Sequence, residues 1–95
     1  MNELFADSYY WLALVHKRDP HHERVRACEV KGSLVTSAPV QLEVMDALSG
    51  ISLRPAAISF FADCISFTIM RDRDIRLALT GDRHFLQAGF EIAFP

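Results

Sequence analysis

The sequence predicts a single α/β domain over residues 1–95, built on a mostly parallel sheet with helices on its faces. Three observations carry that expectation. Short apolar runs alternate with longer segments of helical periodicity, the pattern of β-α units. Two of those runs end in an aspartate: Leu4-Phe5-Ala6 runs into Asp7, and Leu77-Ala78-Leu79-Thr80-Gly81 into Asp82. No repeat, low-complexity tract or linker divides the 95 residues, a length that suits one domain.

Leu4 to Ala6 reads as a first strand. Ser8 to Val15 follows as a helix, with Trp11, Leu14 and Val15 on one face. Asp19-Pro20 is a helix start, Asp as cap and Pro at the first position, for a helix running to about Glu29. Gly32 stops it, and Leu34 to Ser37 is a second short strand. Ala38-Pro39 opens a helix whose apolar stripe is Val40, Val44, Ala47 and Leu48. Glu43 falls on that inward face, where a charge is costly unless paired or bound to a cation.

Gly50 breaks the pattern, and residues 51–57, with Arg54-Pro55, read as a connection or a short turn of helix. Ile58 to about Arg73 is a strongly apolar helix that carries Asp63 near its start. Leu77 to Thr80 is a third strand. Residues 83–89 form a short helix closed by Gly89, and Phe90 to Phe94 alternates as a last strand. The order is β-α-α-β-α-α-β-α-β.

Composition narrows the function. About half the residues, 51%, are hydrophobic, enough for a core, although so short a chain buries a modest share of its surface. A net charge of −2 gives no general drive toward nucleic acid, so RNA binding would need local basic patches. Cys28 and Cys64, the two cysteines, have neither disulfide-scaffold density nor metal-finger spacing and read as reduced, buried thiols. The N-terminus has no basic run of a signal peptide, and no apolar run approaches the roughly 20 residues of a membrane span. The expected setting is cytoplasmic.

If the first and third strands are parallel neighbours, Asp7 and Asp82 emerge together at the carboxyl edge, where open α/β sheets place their ligand crevice. Each also has a structural reading, as the cap of the helix that follows it. Two carboxylates about 4 Å apart repel by roughly 4 kcal/mol at an effective dielectric near 20. A hard divalent cation such as Mg²⁺ or Mn²⁺ turns that repulsion into binding.

At this point the chain resembles a known family. Phe5-Ala6-Asp7-Ser8, Tyr10 to Leu14 and Arg18-Asp19-Pro20-His21-His22-Glu23 resemble the opening of a PIN domain. Leu42-Glu43-Val44 is similar to its second acidic motif, and Ala62-Asp63-Cys64-Ile65-Ser66-Phe67 with Met70-Arg71 to its third. Ala78 to Phe90, around Thr80-Gly81-Asp82-Arg83-His84-Phe85, resembles the carboxy-terminal motif. The motifs come in the family order over nearly the whole chain, and the look is that of a VapC-type toxin.

The resemblance implies a Mg²⁺- or Mn²⁺-dependent endoribonuclease, the toxin of a type II toxin–antitoxin pair, held by a VapB-type antitoxin and commonly a homodimer. It implies a three-layer sandwich with Asp7, Glu43, Asp63 and Asp82 as the acidic set. Asp7, Asp63 and Asp82 would be the main metal ligands. Glu43 would hold a second metal or orient the attacking water, and Ser8 matches the hydroxyl residue after the first Asp. Whether one metal binds or two stays open.

One departure stands out. Only 20 positions separate Glu43 from Asp63, where the family normally inserts a further helix-strand-helix segment, and a βαβ unit takes roughly 30 residues. The join falls near 50–57. The absent strand would be an outer one, so the family order 3-2-1-4-5 becomes 2-1-4-5. The alternative function is therefore a shortened, inactive PIN-like module that binds an antitoxin or itself.

Other residues have plain readings beside functional ones. His21 and His22 read as a solvated helix face, and Tyr9-Tyr10-Trp11 as core. Arg71, Arg73, Arg76 and Arg83 read as solvated, with Arg71 and Arg83 the candidates for RNA phosphate contacts. His84 lies beside Asp82 and reads as helix surface or as a substrate contact.

Overall fold

The computed structural model describes residues 2–48 and 56–95, with side chains described over 2–48 and 62–95. Gly50, Arg54-Pro55 and the side chains of Ile58 and Phe60 lie outside those residues, as does most of the expected join.

Among the described residues, nine elements follow in the expected order: β1 (Glu3–Ala6), α1 (Ser8–Val15), α2 (His22–Arg26), β2 (Ser33–Val35), α3 (Ala38–Leu48), α4 (Ala56–Asp72), β3 (Leu77–Leu79), α5 (Arg83–Gln87) and β4 (Glu91–Ile92). The strands form one sheet in the order β2-β1-β3-β4, with every pairing parallel. This is the expected 2-1-4-5 arrangement, renumbered for a chain with four strands.

The sheet separates two cores because successive strand residues point to opposite faces. Phe5, Ala78 and Ile92 face a cluster with Val40, Met70, Phe67, Phe85 and Phe90, drawn from α3, α4, α5 and the turn after it. Leu4, Ala6, Leu79 and Ala93 face the other way, onto Tyr10, Ala13, Val25 and Phe94. Helices therefore cover both faces, the condition under which an all-parallel sheet is stable.

Two helices end on matched caps. After α4, Ile75 N–H reaches the Met70 carbonyl at 2.8 Å and Asp74 N–H reaches Arg71 at 3.2 Å. After α5, Phe90 N–H reaches Phe85 at 3.0 Å and Gly89 N–H reaches Leu86 at 3.0 Å. Both are Schellman closures, which need one left-handed residue. Gly89 supplies it at φ +99° and Asp74 at φ +55°.

Several expectations change. On α1 the fully buried row is Tyr10 and Ala13, while Leu14 and Val15 are exposed and Trp11 is half-buried. Ala13 packs in one buried cluster with Val25 of α2. α2 is shorter than expected, because Asp19-Pro20 forms a turn: the Asp19 carboxylate accepts His21 N–H at 2.8 Å and its carbonyl accepts His22 N–H at 3.0 Å. His22 is not a solvated residue. Its Nδ1 lies 2.7 Å from the Ala13 carbonyl and ties α2 to α1. Cys64 is exposed and Cys28 half-buried, so neither is a fully buried thiol. Ala47 and Leu48 are exposed and leave the apolar stripe of α3.

Candidate metal centre

The order β2-β1-β3-β4 reverses direction between β1 and β3, so the switch point lies between those two strands. Outside the carboxyl ends of such strands a crevice opens. The register pairs Ala6 with Leu79. One residue further along, the same register brings Asp7 beside Thr80.

Asp7 is buried, and its Oδ2 accepts the Thr80 hydroxyl at 2.9 Å. It occupies the N-cap position of α1, yet its side chain makes no capping bond. Burial pushes its carboxyl up to about 6, the Thr80 and Ser8 hydrogen bonds pull it down, and Asp63 and Asp82 push it up again. A capping role does not explain this residue. Asp82 differs: its Oδ1 accepts His84 N–H at 2.9 Å and caps α5 in earnest.

The helices carry the other two acids. Thr36 donates to the Ala6 carbonyl at 3.0 Å, which ties the end of β2 to the end of β1. Ser37 Oγ then accepts Val40 N–H at 3.2 Å and starts α3. Glu43, one turn on, is buried with 7% exposure. Asp63 sits half-buried on α4, one residue after the buried Ala62.

All four carboxylates line one cleft of about 340 Å³, together with Ser8, Tyr9 and His84. Donor atoms of Asp63, Asp82 and His84 lie within 4.8 Å of one another, a span that one ion bonded at 2.0–2.6 Å could bridge. Four carboxylates and the Ser8 hydroxyl are hard oxygen donors, and the His84 imidazole adds a nitrogen that Mn²⁺ accepts more readily than Mg²⁺. The residues present fit a divalent cation.

Ser8 and Arg83 flank the cleft region, Ser8 in its wall and Arg83 exposed at the first position of α5. Arg71 is placed elsewhere. It lies eight residues beyond Asp63, about 12 Å along the helix axis. There its guanidinium covers the Phe90 ring at 5.4 Å and donates to the Ala88 carbonyl at 3.3 Å.

One contributor, Thr80, escaped the sequence reading, and a second, His84, takes one of its two expected places. Thr80 is fully buried; its hydroxyl donates to Asp7 and accepts the Asp82 N–H at 3.1 Å. Its signal was a hydroxyl residue at the end of an apolar strand, two positions before an aspartate. His84 reaches Asp82 Oδ1 with Nδ1 at 3.0 Å and so faces the acids rather than solvent alone.

No family model matches the chain, and no curated protein matches it. Among solved structures, VapC20 from Mycobacterium tuberculosis, a sarcin-ricin loop cleaving toxin, matches with a TM-score of 0.76. The match covers 97% of this chain and 99% of that one at 22% identity. The chain therefore has the PIN-like fold of that toxin.

Proposed function

We propose that the chain is a Mg²⁺- or Mn²⁺-dependent endoribonuclease of the VapC toxin kind, hydrolysing RNA phosphodiester bonds. The observation that carries this reading is the meeting of Asp7, Glu43, Asp63 and Asp82 in one cleft at the β1/β3 switch point. The fold likeness to a toxin that cleaves the sarcin-ricin loop supports RNA as substrate.

In this reading Asp7, Asp63 and Asp82 bind the cation, with His84 beside them. When bound, the cation supplies Lewis acidity toward water and toward phosphate oxygens. Glu43 holds and orients the attacking water, or a second cation. Thr80 fixes the Asp7 carboxylate. Ser8 offers a hydroxyl to the substrate phosphate, and Arg83 offers it positive charge. None of the side chains lining the cleft serves as a nucleophile in this scheme, so water is the attacker.

A protein partner belongs to the same reading. Leu42, Met45 and Leu48 of α3 and Val15 of α1 are all exposed. Trp11, Val15, Val44 and Met45 line an apolar groove of about 470 Å³ between these helices. Apolar surface of this kind favours a VapB-type antitoxin or a second copy of the chain. It is also what the alternative function, an inactive binding module, would use. No helix among the described residues is long and apolar enough to cross a membrane, and the cytoplasm is the setting proposed.

The test is calorimetric titration with Mn²⁺, followed by cleavage of an RNA carrying a sarcin-ricin loop. Wild-type protein should bind saturably and cleave; folded Asp7→Asn and Asp63→Asn variants should do neither. Folded wild-type protein that binds no Mn²⁺ would hand the lead to the binding-module reading.

A further inference from the structure

Among the described residues, the cleft is lined by four carboxylates and by no lysine or arginine. A cation there answers the reacting phosphate, but the neighbouring phosphates of an RNA strand still meet negative potential. A strand that stays bound needs positive charge and a stacking surface beside the cleft.

One side of the cleft has both. Tyr9 forms part of its wall. The exposed His21 imidazole lies on the Tyr9 ring, with centroids 5.0 Å apart, and Phe94 stacks with the same ring at 5.8 Å and 23°. The Tyr9 ring is closely seated: a Cβ on Gly81 would lie 2.8 Å from it and 2.9 Å from the Phe94 carbonyl.

Exposed Arg24 follows, its guanidinium 5.7 Å from the Phe94 ring centre and bonded to the Pro95 carbonyl at 2.6 Å. Burial raises the pKa of the Tyr9 hydroxyl, and the charge of nearby Arg24 lowers it in part. The surrounding stretch, residues 16–26, holds Lys17, Arg18, Arg24 and Arg26 against Asp19 and Glu23, in a chain of net charge −2. Arg26 of this stretch pairs with Glu23 at 2.9 Å, and Arg24 is the cation that packs on the Phe94–Tyr9 side of the cleft.

We propose that His21, packed at a tilt of 34° against Tyr9, and Arg24 form a substrate subsite that holds the RNA strand next to the phosphate being cleaved. His21 offers a flat face to a base, and Arg24 holds a neighbouring phosphate. The subsite rests on the RNA-cleaving reading, but it acts in binding and needs no cation in the cleft.

The experiment is fluorescence anisotropy of a labelled single-stranded oligoribonucleotide with the full chain, in EDTA at about pH 8, where an ordinary histidine is neutral. Salt is varied for wild-type, Arg24→Gln, His21→Gln and Lys31→Gln proteins. Lys31 is the charge control: its neighbour Gly32 packs against Asn2, before the start of β1 and far from Asp7.

Arg24→Gln should weaken binding about five-fold and lower the salt slope by about 0.7, the value for one phosphate contact on a single strand. His21→Gln should weaken binding with an unchanged slope, and Lys31→Gln should leave both alone. Equal binding by wild-type, Arg24→Gln and His21→Gln proteins overturns the subsite, as does an equal loss in Lys31→Gln or no binding by wild-type.

Cation-dependent cleavage, measured in parallel, separates the two ideas. Cleavage without these binding effects sinks the subsite alone. Binding effects without any cleavage sink the ribonuclease and leave the subsite.

Discussion

The Thr80 hydroxyl donates to Asp7 Oδ2 at 2.9 Å, joining the ends of the two central strands. The same oxygen accepts the Asp82 N–H at 3.1 Å, so one buried hydroxyl sets the positions of two carboxyl-bearing residues. Thr80→Val keeps the shape and removes both bonds. A buried group left without its partner costs about 1–3 kcal/mol, which urea unfolding should show. Mn²⁺ affinity should fall roughly ten-fold by calorimetry, since 1.4 kcal/mol is one decade. Thr80→Ser should retain most of both; equal losses in Ser and Val would mean that packing, not the hydroxyl, matters.

Asp7 makes metal-free stability depend on pH. Its carboxyl moves from 3.8 to about 6 on folding, chiefly through burial. A raised acid favours its neutral form, so its contribution is fully present below pH 3.8 and lost as pH rises through about 6. That loss is about 3 kcal/mol at 1.36 kcal/mol per unit. Unfolding curves in EDTA should fall across this window for wild-type and stay flatter for Asp7→Asn. A parallel decline in both proteins would place the effect on another group.

At Asp74 the backbone is left-handed, φ +55°, in a closure that favours glycine. Asp74→Gly removes that strain, and stability should rise by roughly 0.5–1 kcal/mol, partly offset by the greater freedom of the unfolded chain. Asp74→Val should cost more than 1 kcal/mol, because a branched Cβ is worst there. Chemical denaturation of the two variants checks the order, and Val equal to Gly would refute it.

Gly81 leaves no room for a side chain. Gly81→Ala would set a methyl group 2.8 Å from the Tyr9 ring and 2.9 Å from the Phe94 carbonyl, and backbone cannot swing aside. Overpacking of this kind costs about 1–3 kcal/mol. The cleft wall should shift with Tyr9, so near-ultraviolet circular dichroism should change in the tyrosine region. An unchanged spectrum and stability would show that the turn relaxes freely.

The sequence carried the element order and the convergence of the acids, for a local reason. Asp7 and Asp82 each follow a short apolar run, and parallel strands put such positions at one edge. Glu43 stood out because a charge interrupts an apolar stripe, and it is buried. Faces were harder to read. Leu14 and Val15 are exposed while Tyr10 and Ala13 pack with Val25 of α2, a tertiary fact with no local signature. Thr80 was missed because its role exists only across the β1/β3 register, between residues 73 positions apart in sequence. His22 was misjudged for the same reason: its partner, the Ala13 carbonyl, lies on another helix.

The sheet reverses its winding between its two middle strands, and the four carboxylates gather there. β2, at one margin, contributes no carboxylate to the gathering. A strand added beyond β2 would therefore leave the acidic constellation whole, much as a hub outlives changes to its rim. A minimal scaffold for the constellation would keep β1, β2, β3, α3, α4 and α5 and treat strands further out as dispensable cladding.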